Sequence, residues 1–134
     1  MKSLRVAVFG CGHLGRIHTR LLRGHAACEL VGVYDTVSDS RDAIAREFNT
    51  TAWSDADSLS RQIDAAVIAA PTRFHHAVAA DLLRRGVHCL VEKPITTTLA
   101  DADELVELAA RHGRVLQVGH VERFNPAWRA ARPA

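Results

Sequence analysis

Three glycines, an aspartate and a lysine carry most of the chemistry this sequence offers. The glycines stand in Gly10-Cys11-Gly12-His13-Leu14-Gly15, directly after a short apolar run from Arg5 to Phe9. A glycine-x-glycine-x-x-glycine string says little by itself, because glycine marks turns everywhere. Here a strand precedes it, an amphipathic helix follows it, and an acidic residue, Asp35, closes the next apolar run about 20 residues past Gly15. In that context Gly10 permits a tight turn. Gly12, lacking a Cβ, lets a diphosphate approach the backbone. Gly15 lets the helix lie close to the sheet. The N–H groups at the helix start, at His13 and Leu14, together with the helix dipole, favour the anion. Asp35, with Thr36 beside it, is placed to accept hydrogen bonds from the adenine-ribose hydroxyls of a nicotinamide dinucleotide. Its carboxylate repels a 2′-phosphate, which favours NAD over NADP. Arg41 and Arg73 are the basic residues that would let a phosphate be tolerated.

The lysine is Lys93, in Glu92-Lys93-Pro94 after the apolar run Val87 to Val91. Ligands of open α/β sheets bind beyond the carboxyl ends of the strands, so Glu92 and Lys93 fall on the binding edge. Ala70-Pro71-Thr72, with His75 shortly after, follows another apolar run. His120, Glu122 and Arg123 follow a third.

The elements that must position these residues alternate strand and helix. Strands are expected at Arg5–Phe9, Glu29–Tyr34, Thr51–Trp53, Ala65–Ala70, Val87–Val91 and Val115–Val118. The uninterrupted apolar runs among them fit strands covered on both faces. The helix from Leu14 to Arg23 carries Leu14, Ile17 and Leu21 on one face and stops at Gly24. Ser38 is placed to cap a helix running to about Phe48. Phe74, Val78 and Leu82 recur at helical spacing before Gly86. Thr98-Leu99-Ala100-Asp101 reads as a capping box, opening a helix with Ala102, Leu105, Val106 and Ala109 on one face. Gly113 ends it. This alternation predicts an α/β fold: a doubly wound parallel sheet of the Rossmann dinucleotide-binding type, in a single domain. Residues 1–120 are expected to form that domain, and residues 121–134 to begin a connection to a further domain.

Composition narrows the classes. The chain has 134 residues, 48% hydrophobic and 24% charged, as for an ordinary globular domain. A formal net charge of +2 is too small to suggest nucleic acid or an anionic membrane surface. No apolar run approaches the ~20 residues of a membrane span. The three cysteines, Cys11, Cys28 and Cys89, form neither a disulfide framework nor a zinc motif, and a reducing, cytoplasmic setting fits them. Cys11 lies near a helix N-terminus, which lowers a thiol pKa, or serves as a small filler facing the cofactor. Eight histidines show no ligand spacing, and no metal is expected. Phe124 and Trp128 are oddly apolar for a free tail. They either cover the sheet edge or meet a second domain, and an exposed edge would also allow a homo-oligomer.

Four segments in order resemble the Gfo/Idh/MocA oxidoreductase family: the fingerprint with Asp35, Ala69-Ala70-Pro71-Thr72-Arg73-Phe74-His75, Gly86 to Pro94 with Glu-Lys-Pro, and Val118 to Pro126 with Gly-His-x-Glu-Arg-Phe-Asn-Pro. The resemblance implies that Lys93 is catalytic, lying near the nicotinamide and the reacting hydroxyl. It implies that Glu92 contacts the nicotinamide ribose or holds its turn, that Pro94 forms a cis bond, and that Ala70, Pro71, Thr72 and His75 line the cofactor. The Glu-Lys-Pro segment implies substrate binding by Lys93. The last segment is similar to the variant in members acting on nucleotide sugars, which implies substrate binding by His120 and Arg123, the alternative being a polar segment that packs against a further domain. The reaction implied is oxidation of a sugar, nucleotide-sugar or polyol hydroxyl to a ketone, with hydride passing to NAD. Members of the family run well over twice this length, with a C-terminal substrate domain that is not in this sequence. The alternative is a non-catalytic NAD(H)-binding or sensing module.

Overall fold

Each strand–helix unit meets the next in a parallel crossover, and the direction of the crossovers decides which face each helix covers. The computed structural model describes residues 3–131. Its elements are β1 (Leu4–Phe9), α1 (His13–Arg23), β2 (Cys28–Tyr34), α2 (Ser38–Glu47), β3 (Ala52–Trp53), α3 (Ala56–Ser60), β4 (Ala65–Ile68), a 3-10 turn (Thr72–Phe74), α4 (His75–Arg84), β5 (His88–Glu92), α5 (Leu99–His112), β6 (Leu116–Gly119), a second 3-10 turn (Val121–Phe124) and α6 (Pro126–Ala131). The six strands form one sheet in the order β3-β2-β1-β4-β5-β6, and every neighbouring pair is parallel.

From β1 the chain moves one way to β2 and β3, then returns and moves the other way through β4, β5 and β6. Right-handed crossovers in opposite directions put helices on opposite faces. Alternation along each strand feeds both. Phe9, Ile68 and Val91 join Leu59, Leu82 and Leu105 in one core. Val6, Val8, Val33 and Val67 join Ile44 and Ala45 in the other. The doubly wound Rossmann fold read from the sequence is the fold observed.

Several helix details differ from expectation. On α1 the buried residues are Gly15 and Thr19, while Leu14 and Leu21 are exposed. Small residues let the helix axis approach the sheet more closely than a leucine stripe would, and the Thr19 hydroxyl is satisfied internally by donating to the Gly15 carbonyl at 2.7 Å. On α5 the buried set is Leu105, Leu108 and Ala109, and Val106 faces out. Phe74 lies in the 3-10 turn before α4, exposed, with the Arg73 guanidinium over its ring at 4.6 Å. Ser38 is the first residue of α2 rather than its cap; the cap position is Val37, whose N–H donates to the Asp35 carboxylate at 2.8 Å. The expected capping box is present, with Asp101 N–H donating to Thr98 Oγ1 at 3.1 Å. The short helix α3, five residues long, follows no hydrophobic period. It is opened by Asp55, which accepts from Ser58 N–H at 2.9 Å.

Candidate dinucleotide site

The strand register brings the sites together. Phe9 pairs with Tyr34 and with Ile68, Ile68 pairs with Val91, and Glu92 pairs with Gly119. The turns after β1, β2, β4, β5 and β6 therefore leave one edge of the sheet, carrying Gly10–Gly15, Asp35–Thr36, Ala69–Thr72, Lys93 and His120. The order reverses between β1 and β4, and the switch point there is where such sheets open a ligand crevice.

At the switch point the two turns touch. Gly10 has a φ of +102°, and a Cβ there would meet Ala70 N at 2.5 Å and Ala69 C at 2.6 Å. A Cβ on Gly15 would stand 1.8 Å from the Gly10 carbonyl oxygen. Gly12 is the opposite case: a Cβ there would meet nothing within 4 Å. Gly12 is also the cap of α1, makes no side-chain cap bond, and is followed by a first turn without acidic residues. An exposed helix start whose His13 and Leu14 N–H groups have no partner among the described residues, open in front of Gly12, fits a diphosphate.

Asp35 ties this cradle to β2. Its Oδ2 accepts the Cys11 N–H at 2.7 Å while Oδ1 accepts that of Val37, so the carboxylate is fixed in direction beside the fingerprint loop. Thr36 is exposed in the same turn. Arg41 is close enough for its charge to be felt at Cys11 and Tyr34, and its Nε donates to Asp42 Oδ1 at 2.8 Å.

Cys11 is buried, and burial together with the nearby Asp35 charge pushes its thiol up to about 12, with Arg41 opposing. The helix N-terminus does not make this thiol reactive: Cys11 fills space in the core, with Sγ directed at the Tyr34 carbonyl oxygen at 3.7 Å. Burial also raises Cys89 to about 12. In the folded chain at pH 8, iodoacetamide should therefore leave Cys11 and Cys89 unmodified, and both should label after unfolding. Peptide mass mapping reads the result, and rapid labelling of native Cys11 would contradict the burial argument.

His75 sits behind the edge rather than on it. It is 1% exposed, with Nδ1 2.9 Å from the Pro94 carbonyl oxygen and Nε2 2.7 Å from that of Ala70. Both ring nitrogens are engaged by backbone, so the ring ties the β4 turn to the Lys93–Pro94 turn and presents no free polar atom to a ligand. Ala70, Pro71 and Thr72 remain at the edge.

The Lys93–Pro94 bond is cis, as the resemblance implied. The Lys93 side chain is exposed, and its ammonium has no hydrogen-bond or ion-pair partner among the described residues. Glu92, the last residue of β5, points to the α1 face, where Oε1 lies 2.7 Å from His18 Nε2. Nothing in the sequence marked His18.

His120 and Arg123 line a groove of about 720 Å³ at the outer edge of β6, together with Leu116, Val118, Phe124 and Arg129. None of the fingerprint residues is among its walls, nor is Lys93. Phe124 walls this groove beside the β6 edge but stays 72% exposed, and Trp128 is 62% exposed, so neither is buried against the sheet. No described helix is long and apolar enough to cross a membrane.

Over residues 4–120 the chain matches the model of the Gfo/Idh/MocA oxidoreductase family, NAD-binding Rossmann fold. It is 38% identical over 134 residues to UDP-N-acetylglucosamine 3-dehydrogenase of Acidithiobacillus ferrooxidans, a match covering 100% of this chain and 42% of that protein. The crystal structure of that enzyme aligns with a TM-score of 0.90 over 97% of this chain and 42% of its own. The scyllo-inositol 2-dehydrogenase (NAD(+)) of Bacillus subtilis is 32% identical over 97% of this chain and 39% of its own length. GenD2 from gentamicin A biosynthesis, solved in complex with NAD, aligns with a TM-score of 0.92 at 27% identity, over 98% of this chain and 38% of its own. The chain spans less than half the length of these relatives.

Proposed function

The chain belongs to the Gfo/Idh/MocA oxidoreductase family, and from that membership and the geometry of the sheet edge we propose that it is the NAD-binding half of an enzyme oxidising a sugar, nucleotide-sugar or polyol hydroxyl to a ketone. The observation that carries the reading is the cradle itself: an open helix start at Gly12 beside a carboxylate anchored on Cys11 N–H. NAD bound there supplies the hydride acceptor. Gly10, Gly12, His13, Leu14 and Gly15 hold the diphosphate, and Asp35 with Thr36 holds the adenine ribose. Ala70, Pro71, Thr72 and Glu92 border the nicotinamide half. Lys93 orients the substrate hydroxyl and, as the neutral amine, accepts the proton that the hydroxyl releases when its carbon gives up hydride. His120 and Arg123 contact the substrate, whose remaining contacts come from a C-terminal domain or partner chain. A nucleotide sugar suits a groove with Arg123 and Arg129 in its walls, because guanidinium groups bind diphosphates bidentately.

The preference for NAD over NADP rests on Asp35, whose charge opposes a 2′-phosphate, and on the engagement of Arg41 with Asp42. Calorimetric titration with NADH and NADPH tests the reading. NADH should bind clearly and NADPH much more weakly. Asp35→Ala should weaken NADH by about 10- to 100-fold, the range for hydrogen bonds to a charged group, and narrow the gap to NADPH. If the variant bound NADH as tightly as the wild type, the ribose role would be wrong. If the wild type bound neither dinucleotide, the cofactor reading would fail.

A further inference from the structure

We propose that His18 is a positioning residue that sets the nicotinamide half of the site through Glu92; the inference rests on the dinucleotide-binding reading above.

Glu92 follows Val91, which faces the α4–α5 core, so strand alternation turns the Glu92 side chain to the face covered by α1. There its carboxylate is held on three sides. Oε1 accepts from His18 Nε2 at 2.7 Å. Oε2 accepts the Lys93 N–H at 3.3 Å. The carboxyl group also occupies the space beside Gly119, where a Cβ would lie 3.1 Å from Cδ and from both oxygens. The two side chains are only 21% and 12% exposed, so the contact is sheltered from solvent exchange.

His18 stands on the helix whose first turn forms the diphosphate cradle. At a rise of about 1.5 Å per residue it lies roughly 7 Å along the axis from His13. A rigid helix thus carries the diphosphate donors at one end and grips the Glu92–Lys93 turn from its second turn. The pair fixes how far the Lys93 turn stands from the cradle, and so whether a nicotinamide can seat while the diphosphate is held. A contact that served stability alone would give no such selectivity between the two halves of the cofactor.

ADP-ribose, which has every part of the cofactor except the nicotinamide ring, separates these roles when titrated beside NADH. The wild-type chain should bind NADH more tightly than ADP-ribose. His18→Leu should leave ADP-ribose affinity within twofold and weaken NADH about 5- to 10-fold. His18→Gln, whose side-chain amide can donate to the same oxygen, should restore NADH to within twofold of wild type. Should His18→Leu fail to fold, Gly119→Ala displaces the Glu92 carboxylate without touching His18 and should weaken NADH with the same selectivity. Equal loss for both ligands, no loss for either, or no rescue by glutamine would overturn the proposal. So would equal wild-type affinities for the two ligands, or an unselective Gly119→Ala where that variant decides. A wild-type chain that binds neither ligand would instead overturn the cofactor reading on which the proposal stands.

Discussion

Alanine at Gly15 will cost the chain both its dinucleotide affinity and much of its stability, whereas alanine at Gly12 will cost affinity alone. The Gly15 Cβ would stand 1.8 Å from the Gly10 carbonyl oxygen and 2.8 Å from its carbon. Both are backbone atoms, so no rotamer relieves the overlap. Gly10 has no room to retreat, because its own Cβ direction is closed by Ala69 and Ala70 within 2.7 Å. The helix must then lift from the sheet. That separates Thr19 from its buried position and carries the first-turn N–H groups away from the cradle. Overpacking of this kind costs about 1–3 kcal/mol where side chains can adjust, and a backbone clash belongs at or above the upper end. Urea unfolding should show a loss of about 3 kcal/mol or more. NADH binding should be undetectable at concentrations that saturate the wild type. A Gly12 Cβ meets no protein atom within 4 Å, so Gly12→Ala should unfold at the wild-type midpoint while binding NADH at least tenfold more weakly, its methyl occupying the diphosphate approach. Wild-type stability and affinity in Gly15→Ala would remove the close helix–sheet approach from the account. Unchanged NADH affinity in Gly12→Ala would move the diphosphate elsewhere.

The contrast between these two glycines also shows what a sequence discloses. The fingerprint and Asp35 were legible because their relation is local: one turn, one helix and one strand, with fixed spacing. The sheet was legible because strands buried on both faces leave continuous apolar runs, as at Ala65–Ile68. Helix faces were less so. On α1 close packing selects Gly15 and Thr19 for burial and turns Leu14 and Leu21 outward, inverting the stripe that hydrophobicity suggests. On α5 the choice between Val106 and Leu108 is a rotation that the apolar pattern leaves open. The helix α3 is five residues long, too short for a period, although Asp55 marked its start. Roles that depend on tertiary contact were invisible. His75 stands near the cofactor in sequence logic, yet its ring is enclosed by two carbonyl groups. Cys11 has the helix terminus of a reactive thiol and the burial of an inert one, and burial has the larger effect. His18 and Glu92 are 74 positions apart, and only the sheet topology joins them.

Lys93→Met should abolish turnover while leaving dinucleotide affinity near its wild-type value. Lys93 leaves the end of β5 on a cis peptide bond, exposed at the edge where the other site turns emerge, and no described residue neutralises its ammonium. Methionine keeps a long unbranched stem and removes the nitrogen that orients the hydroxyl and accepts its proton. The Glu92–His18 contact and the backbone N–H of residue 93 are left in place. A positioned acid–base group contributes about 10²–10⁴-fold, so kcat should fall at least 100-fold. Because this chain spans 42% or less of the lengths of the UDP-N-acetylglucosamine and scyllo-inositol dehydrogenases, turnover is read in a hybrid that joins it to the remainder of such a relative. NADH affinity can be measured on the chain alone, and it should stay within about twofold, because the fingerprint and Asp35 supply the anchoring contacts. Turnover at the wild-type rate would remove Lys93 from the chemistry. A matching fall in NADH affinity and turnover would make it a cofactor contact rather than the group that handles the hydroxyl proton. Only loss of rate with affinity retained identifies an interaction made chiefly in the transition state.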